Sequence, residues 1–214
     1  WNYAQSNKRE IGMKYVNYVM EKLSKPEFPV FTVSDVKLLL RDRKISADYL
    51  YLMLHNLLKK NKIKRITKAI YTFHDDVVVV GFAFQPFYYG LEDALYLRGL
   101  SDQGTNFVVM TFRNVRMGVR QFDGRNYRIQ KVKKEQLFGY NLIKYGNFWI
   151  PVSDIEKTVI DIIYFGGGIR AEQWPGILKQ LDMQKLKGYL KAYSPRARNK
   201  VIEIIAVAKA KRGT

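Results

Sequence analysis

Five apolar side chains recur at the spacing of one helix face, and this stripe constrains the fold more than any other feature of the sequence. They are Leu50, Met53, Leu54, Leu57 and Leu58. The i, i+3, i+4, i+7, i+8 pattern predicts an amphipathic helix over 47–60 that buries this face against a core. Ser46 is its predicted N-cap, and Asn61 tolerates the left-handed turn that ends many helices.

The segments on either side of this helix predict a small module of three helices and a hairpin. A first helix is expected over 5–23 and a second over 35–42, with Thr32 or Ser34 as the N-cap of the second. Two short strands are expected between 62 and 73, with a basic turn between them. Helix, helix, turn, helix and basic hairpin is the order of a winged helix-turn-helix.

A polar break at 74–76 predicts a boundary between two domains. Residues 1–75 are assigned to the winged helix-turn-helix, and 76–214 to a mixed α/β domain that ends in a helical bundle. The fold class is therefore predicted as α+β. The predicted elements of the second domain are an apolar strand or short helix over 77–84, strands over 107–112 and 147–152, a hairpin over 115–132 around Asp123–Gly124, and helices over 91–97, 153–165, 171–181, 183–193 and 195–210.

The net charge of the chain favours a polyanionic partner. Lys and Arg total 37 against 19 acidic residues, which gives +18. A field of that sign attracts nucleic acid, acidic proteins or anionic membranes. No apolar run approaches the roughly 20 residues that span a bilayer, so we expect a cytoplasmic protein without a membrane partner. The chain has no cysteine, which excludes disulfides, Cys-ligated zinc and thiol nucleophiles within it.

The predicted third helix and its flanks carry the candidate contacts to double-stranded DNA. A recognition helix lies in the major groove, where a carboxamide such as that of Asn56 pairs with adenine and an apolar side chain such as Leu52 meets a thymine methyl. Basic side chains neutralise phosphates. The candidate residues are Arg43, Lys44, Tyr49, Leu52, His55, Asn56, Lys59, Lys60, Lys62, Arg65 and Lys68. Because symmetric operators bind two copies, a homodimer on DNA is expected, with the first and last helices as sites of self-association.

A second basic segment lies in the predicted hairpin of the second domain. Its cations are Arg113, Arg116, Arg120, Arg125, Arg128, Lys131 and Lys133. One interpretation is a surface that extends the DNA footprint or binds an acidic partner. The other is a solvated sheet face. Charge alone does not separate the two.

The charged residues at the start of the helix over 153–165 predict a structural ion pair rather than a catalytic site. Lys157 and Asp161 share a helix face at i, i+4 and can form a partly buried pair. The carboxylates of Asp154, Glu156 and Asp161 all lie on one helix start, whereas a metal-dependent nuclease gathers them from several elements. The chain also lacks a phosphate-binding glycine loop and has only two histidines. We therefore expect no enzyme activity, cofactor or metal.

Three blocks of the sequence resemble the AbiEi antitoxin family, the DNA-binding antitoxins of abortive-infection toxin–antitoxin pairs. They are Ile66–Tyr71, Pro86–Leu95 followed by Gly99–Leu100, and Val152–Ile163 with its glutamate–lysine pair and the aspartate four residues later. The chain differs from the family pattern at the hairpin turn, where Lys68–Ala69 replaces the usual glycine, and at Gly90 and Ile155.

The resemblance implies a winged-helix transcriptional regulator that binds repeats upstream of its own operon and represses it. It also implies that the second domain opposes a nucleotidyltransferase-like toxin. The alternative from another class is a non-catalytic adaptor or mobile-element protein whose basic surfaces bind nucleic acid or an acidic protein without sequence choice. Binding to the protein's own upstream DNA, compared with random duplex, distinguishes the two.

Overall fold

The computed structural model describes residues 14–43, 45–104 and 106–211. The fold is mixed α+β, and its C-terminal part is helical. The chain divides into two compact units, Trp1–Ala83 and Phe84–Thr214. This division falls after residue 83 rather than at the 75/76 boundary expected from the polar break. The segment between the two positions is a 3₁₀-helix, Val77–Phe84, whose four valines are all buried.

The first unit combines helices with a small antiparallel sheet. Its elements are α1 (described over 14–23), β1 (Phe31–Thr32), α2 (Val33–Leu39), a 3₁₀ turn (Arg41–Arg43), α3 (Ala47–Lys59), β2 (Lys64–Thr67) and β3 (Ile70–Thr72). The strand order is β1-β3-β2, so the strand before α2 closes the hairpin that follows α3. The predicted first helix is described only from residue 14, and its earlier part lies outside the described residues.

Local hydrogen bonds fix where α2 and α3 begin. Thr32, rather than Ser34, caps α2: its hydroxyl accepts from the Asp35 N–H at 3.2 Å, and the Asp35 carboxylate accepts from the Thr32 N–H at 2.6 Å. This reciprocal pair is a capping box. The Ser46 hydroxyl accepts from the Tyr49 N–H at 3.3 Å, as the sequence predicted for α3. Asn61 ends this region with φ +52°, which confirms its left-handed turn.

The stripe on α3 forms the core of the first unit. Leu50, Met53, Leu54 and Leu57 are each at most 3% exposed, and Leu58 packs against them at the edge. They meet apolar side chains of α1, α2 and the small sheet. These are Val19, Leu23, Phe31, Val36, Leu40 and Ile63. With this face buried, the opposite face of α3 is left to solvent.

The second unit is built on a mixed six-stranded sheet. Its strands are β4 (Phe87–Tyr89), β5 (Phe107–Thr111), β6 (Gly118–Phe122), β7 (Arg125–Lys131), β8 (Tyr140–Tyr145) and β9 (Phe148–Ser153), in the order β6-β7-β5-β4-β9-β8. β4 is parallel to β9, and β5 is parallel to β7. The predicted turn between β6 and β7 is confirmed, because Asp123 and Gly124 both take positive φ, at +49° and +77°.

The helices of the second unit are α4 (Glu92–Leu97), α5 (Ile155–Tyr164), α6 (Trp174–Gln180), α7 (Met183–Leu190) and α8 (Pro195–Ala210), with 3₁₀ turns at Lys134–Gln136 and Ala171–Gln173. α5 packs against α4, α7, α8 and β9. All of its residues from Ile155 to Ile163 are buried. The helix that carries the charged block is therefore the centre of this unit.

Candidate nucleic-acid interface

The outward face of α3 presents polar and apolar side chains together. His55, Asn56, Lys59 and Lys60 are exposed. Leu52 is 56% exposed and Tyr51 is 60% exposed. Aromatic and aliphatic groups beside polar ones on an exposed helix face can contact a partner as well as solvent. This face therefore has the composition of a contact surface.

Tyr49 does not belong to this face, which corrects the sequence expectation. It is half-buried and packs against the core cluster of the first unit, because it lies one turn before Met53 on the same side of the helix. Burial is the main cause that raises the pKa of the Tyr49 hydroxyl, and the nearby Tyr15 adds to it. Tyr51 is the tyrosine of α3 that reaches solvent.

Five cations at the end of α3 and in the segment after it have no described ion-pair partner. Lys59, Lys60, Lys62, Arg65 and Lys68 are all exposed. Within the described residues none of them forms an ion pair, and Asp48 is the one acidic residue between 46 and 74. Their charge is thus directed to solvent, where a polyanion can reach it.

Lys64 differs from these neighbours, because its ammonium lies 2.7 Å from the Asp75 carboxylate. The hairpin of β2 and β3 turns at Lys68–Ala69, where Ala69 has φ +63°. An irregularity in register between Arg65 and Thr67 lies on the β2 side. Arg65 and Lys68 are therefore exposed residues of a hairpin that follows α3 closely in the sequence.

The turn before α3 contributes one described cation of the predicted set. Arg43 is exposed, and its guanidinium carbon lies 5.7 Å from the centre of the Tyr18 ring on α1. This cation–π contact restricts the guanidinium while leaving it open to solvent. Lys44 lies outside the described residues.

The cations on the strands of the second basic segment lie on both faces of the sheet. Arg120 pairs with Tyr127 across β6 and β7, and Val119 pairs with Arg128. Because side chains alternate along a strand, Arg120, Arg125 and Lys131 point to one face of the sheet and Arg128 to the other. The four cations on these strands therefore lie on two faces of the sheet, and a surface for DNA or an acidic partner and a solvated sheet face both stay predictions for this segment.

Individual contacts within this segment also differ. Arg120 donates to the Arg116 carbonyl at 2.6 Å and lies 5.4 Å from the Phe84 ring. Arg113 is exposed and donates to the Gln85 carbonyl at 3.4 Å. Arg116, Arg125, Lys131 and Lys133 are exposed, and Arg120 and Arg128 are half-buried.

The predicted pair on α5 is confirmed, and it is fully buried. The Lys157 ammonium forms an ion pair with Asp161, and the two side chains are 0% and 1% exposed. Asp161 also accepts from the Tyr88 hydroxyl at 2.7 Å and from the Tyr193 hydroxyl at 2.9 Å. Aromatic rings of Tyr88, Phe138 and Tyr193 lie 5.2–5.5 Å from the ammonium. Burial lowers the pKa of Lys157, and Asp161 opposes that shift.

A second charged group lies at the beginning of α5. Asp154 caps the helix by accepting from the Lys157 N–H at 2.9 Å. Lys185 of α7 bridges Asp154 and Glu156 at 3.1 and 2.9 Å, and the Tyr189 hydroxyl donates to Asp154 at 2.8 Å. Each acidic group thus has a basic or hydroxyl partner. Within the described ranges, no group of three or more His, Cys, Asp or Glu residues has the arrangement to hold a metal ion.

Comparisons with known proteins bear on the fold. No model of a known protein family matches the chain, and no curated protein gives a significant sequence match. The crystal structure of the Rv2827c protein from Mycobacterium tuberculosis is similar, with a TM-score of 0.63 at 13% identity, over 91% of this chain and 77% of that one. A likeness at this identity shows a shared fold. In the part of the chain that the structure describes, no helix has the length and apolarity to cross a bilayer.

Proposed function

We propose that this protein is a sequence-specific double-stranded DNA-binding transcriptional regulator, and that its first unit acts as a winged helix-turn-helix. The observation that carries the proposal is the outward face of α3. It combines exposed Leu52, His55 and Asn56 with lysines that have no described partner. The major groove offers partners for all three kinds of group, because it presents base edges, thymine methyl groups and flanking phosphates.

Residues in the middle of this face contact the bases. Asn56 has the donor and acceptor geometry to pair with the N6 and N7 positions of adenine. Leu52 lies one turn earlier on the same side, where its exposed side chain suits a thymine methyl group. The Tyr51 hydroxyl donates to a phosphate at the groove edge. The preferred operator therefore contains an A·T pair at its centre of contact.

Residues at the ends of this surface contact the phosphates of the DNA backbone. Lys59, Lys60 and Lys62 follow the recognition face, and Arg65 and Lys68 belong to the hairpin that acts as the wing. If roughly five to eight phosphates are neutralised, the slope of log affinity against log salt concentration is about −4.5 to −7. Such binding is strong at low salt on any sequence and becomes selective as salt rises.

The test measures affinity for the protein's own upstream DNA and for a shuffled duplex of equal composition, by fluorescence anisotropy at several salt concentrations. Asn56→Ala should reduce the affinity ratio between the two duplexes by about 5- to 150-fold, which corresponds to the 1–3 kcal/mol of one bidentate base contact. Lys60→Ala should weaken both duplexes equally and reduce the salt slope by about one unit.

Lys187→Ala is the matched control, because Lys187 is an exposed lysine of α7 in the second unit. It should leave both the affinity ratio and the salt slope unchanged. Equal affinity of the unmodified protein for the two duplexes at moderate salt would reject sequence-specific recognition. That result would favour the adaptor alternative, in which exposed Tyr51 and Leu52 contact a protein.

The antitoxin role extends this proposal and is supported by the three sequence blocks that resemble the AbiEi family. The third block folds as the buried helix α5, so it acts by supporting the second unit rather than by contacting a partner directly. Expression of a neighbouring nucleotidyltransferase-like gene should stop growth, and co-expression of this protein should restore it. Failure of the rescue would leave the DNA-binding proposal standing and remove the antitoxin role.

A further inference from the structure

The six-stranded sheet of the second unit has two edges that differ in charge. β6 forms one edge, and Arg116, Arg120 and the positive-φ Gly118 lie on or beside it. Charged side chains and irregular backbone are the usual means by which proteins prevent unwanted strand pairing. β8 forms the other edge and carries one charge, Lys144, in six residues. Its pairing with β9 is regular over all six residues, without a bulge. β6 pairs with β7 just as regularly, and the positive-φ Gly139 and Gly146 flank β8. The two edges therefore differ in charge alone, and the β8 edge is the less charged one.

The less charged edge presents exposed Leu142 and Trp149 on one face, and Lys144 shares that face because it pairs with Trp149. Leu142 pairs with Pro151, and Lys144 pairs with Trp149. Side chains alternate along each strand, so Leu142 and Trp149 lie diagonally on the same face. Leu142 is 63% exposed and Trp149 is 61% exposed, and Tyr140, two residues before Leu142, is 37% exposed. We name this face of β8 and β9 the Leu142 face.

We propose that two copies of this protein associate through antiparallel pairing of their β8 strands, which joins the two sheets and brings their Leu142 faces side by side. A two-fold axis at Leu142 sets this residue opposite its own copy. In the same register, Tyr140 of each copy lies opposite Lys144 of the other copy. This pair therefore occurs twice, as the symmetry of an isologous interface requires. The single cation of each strand then lies beside the Tyr140 ring of the other copy, which stacks on Tyr88 of its own chain at 5.4 Å, rather than beside another cation.

Charge complementarity selects a second copy over other occupants. Each chain carries +18, so contact between two copies is opposed least where the local charge is low. The β8 edge is such a place, and its one lysine is matched by the tyrosine of the facing strand. DNA and acidic proteins require cations that this edge does not supply, whereas the first unit and the β6 edge do.

The expected affinity follows from the size of the surface. The exposed parts of Tyr140, Leu142 and Trp149 amount to roughly 300 Å² per copy, since a large aromatic side chain buries about 150–250 Å² in full. With the paired backbones, the total approaches the lower limit of specific interfaces, about 1,200 Å². The dimer should therefore form reversibly in the micromolar range, where a monomer and a dimer coexist.

Sedimentation velocity without DNA tests the association over about 1–200 μM protein, a range chosen around that affinity. A dimer fraction that rises with concentration is expected. Added salt should increase the dimer fraction because it screens the repulsion between two cationic chains, and this response is opposite to that of DNA binding. The test does not depend on the proposed function, since no DNA is present.

Leu142→Lys should abolish the dimer, because it sets two lysines against each other at the axis. Trp149→Lys should weaken the dimer by at least tenfold. Val119→Lys is the matched control: Val119 is also 63% exposed and lies on the opposite edge strand β6, and its replacement should leave the dimer intact. Circular dichroism verifies that all three variants fold. A protein that stays monomeric at every concentration, or a dimer that Leu142→Lys does not affect, overturns the proposal.

Discussion

Replacement of Asp161 by asparagine removes the countercharge of the buried Lys157 while keeping the shape of the side chain. Asp161 receives hydrogen bonds from the Tyr88 and Tyr193 hydroxyls besides its ion pair with Lys157. The amide of Asp161→Asn still fills this space. It cannot provide a negative charge, so the ammonium of Lys157 is left in the interior without its ion-pair partner, and the more weakly interacting Asp154 is the carboxylate that still acts on it.

The loss of stability in Asp161→Asn has an upper limit, because Lys157 can release its proton and remain buried as a neutral amine. Its ordinary pKa is 10.5, and a neutral lysine at pH 7 therefore costs about 4.8 kcal/mol, at 1.36 kcal/mol for each pH unit. Removal of one partner from a buried ion pair costs about 3–5 kcal/mol in general. We expect Asp161→Asn to lower the free energy of unfolding by about 3–5 kcal/mol, a large share of the 5–15 kcal/mol of a typical domain.

The same reasoning predicts a pH dependence with a definite sign. In folded Asp161→Asn, Lys157 is neutral, whereas in the unfolded chain it binds a proton up to pH 10.5. The unfolded state thus holds one more proton, and stability rises with pH by about 1.36 kcal/mol per unit. Between pH 7 and pH 9 the variant should recover about 2.7 kcal/mol relative to the unmodified protein.

Urea denaturation, followed by circular dichroism and by tryptophan fluorescence, measures these free energies. Glu172→Gln is the control, since Glu172 forms an exposed ion pair with Arg170 at 3.3 Å and should cost at most about 1 kcal/mol. The double variant Lys157→Met with Asp161→Asn should regain most of the loss, because no charge remains buried. A loss below about 1 kcal/mol in Asp161→Asn, or a slope that does not rise with pH, would refute the argument.

Two further perturbations test local features of the two units. Tyr189→Phe should reduce the loss of stability between pH 10 and pH 12, because burial and Asp154 raise the pKa of Tyr189 to about 12. A raised folded-state pKa gives stability that is present below pH 10 and is lost as the pH approaches 12. Urea denaturation at pH 9 and pH 11.5 measures this loss. Ala69→Gly should stabilise the first unit by about 0.5–1 kcal/mol, because relief of the left-handed φ exceeds the greater flexibility of glycine in the unfolded chain; a lowered melting temperature would contradict this.

Helices with strong local signals were predictable from the sequence. The bounds of α3 and α8 agree with the prediction to within one residue, because each has a capping side chain and a clear apolar face. The pair of Lys157 and Asp161 was predictable because it lies within one helix turn. The turn at Asp123–Gly124 was predictable because few dipeptides adopt two positive φ angles in succession.

Features that depend on distant residues were not predictable. β4 and β8 were missed: β4 has three residues, and β8 is largely exposed, so neither shows a burial pattern of its own. Tyr88 and Tyr193 lie 73 and 32 residues from Asp161, and a single sequence gives no signal for such partners. The division of the second basic segment between two sheet faces depends on the register of β6 against β7, which composition does not contain.

The two groups of charges in this protein show why the presence of charge alone does not identify a functional site. Those on α5 are buried and each meets a partner from the same unit, so their effect is spent on holding the helix, the sheet and α7 and α8 together. Lys59, Lys60, Lys62 and Lys68, unlike Lys64, are exposed and have no described ion-pair partner, so their charge can still interact with an external ligand. A charge contributes to recognition when its countercharge belongs to another molecule. By that criterion the proposed site for a polyanion is the outward face of α3 and not the charged block on α5.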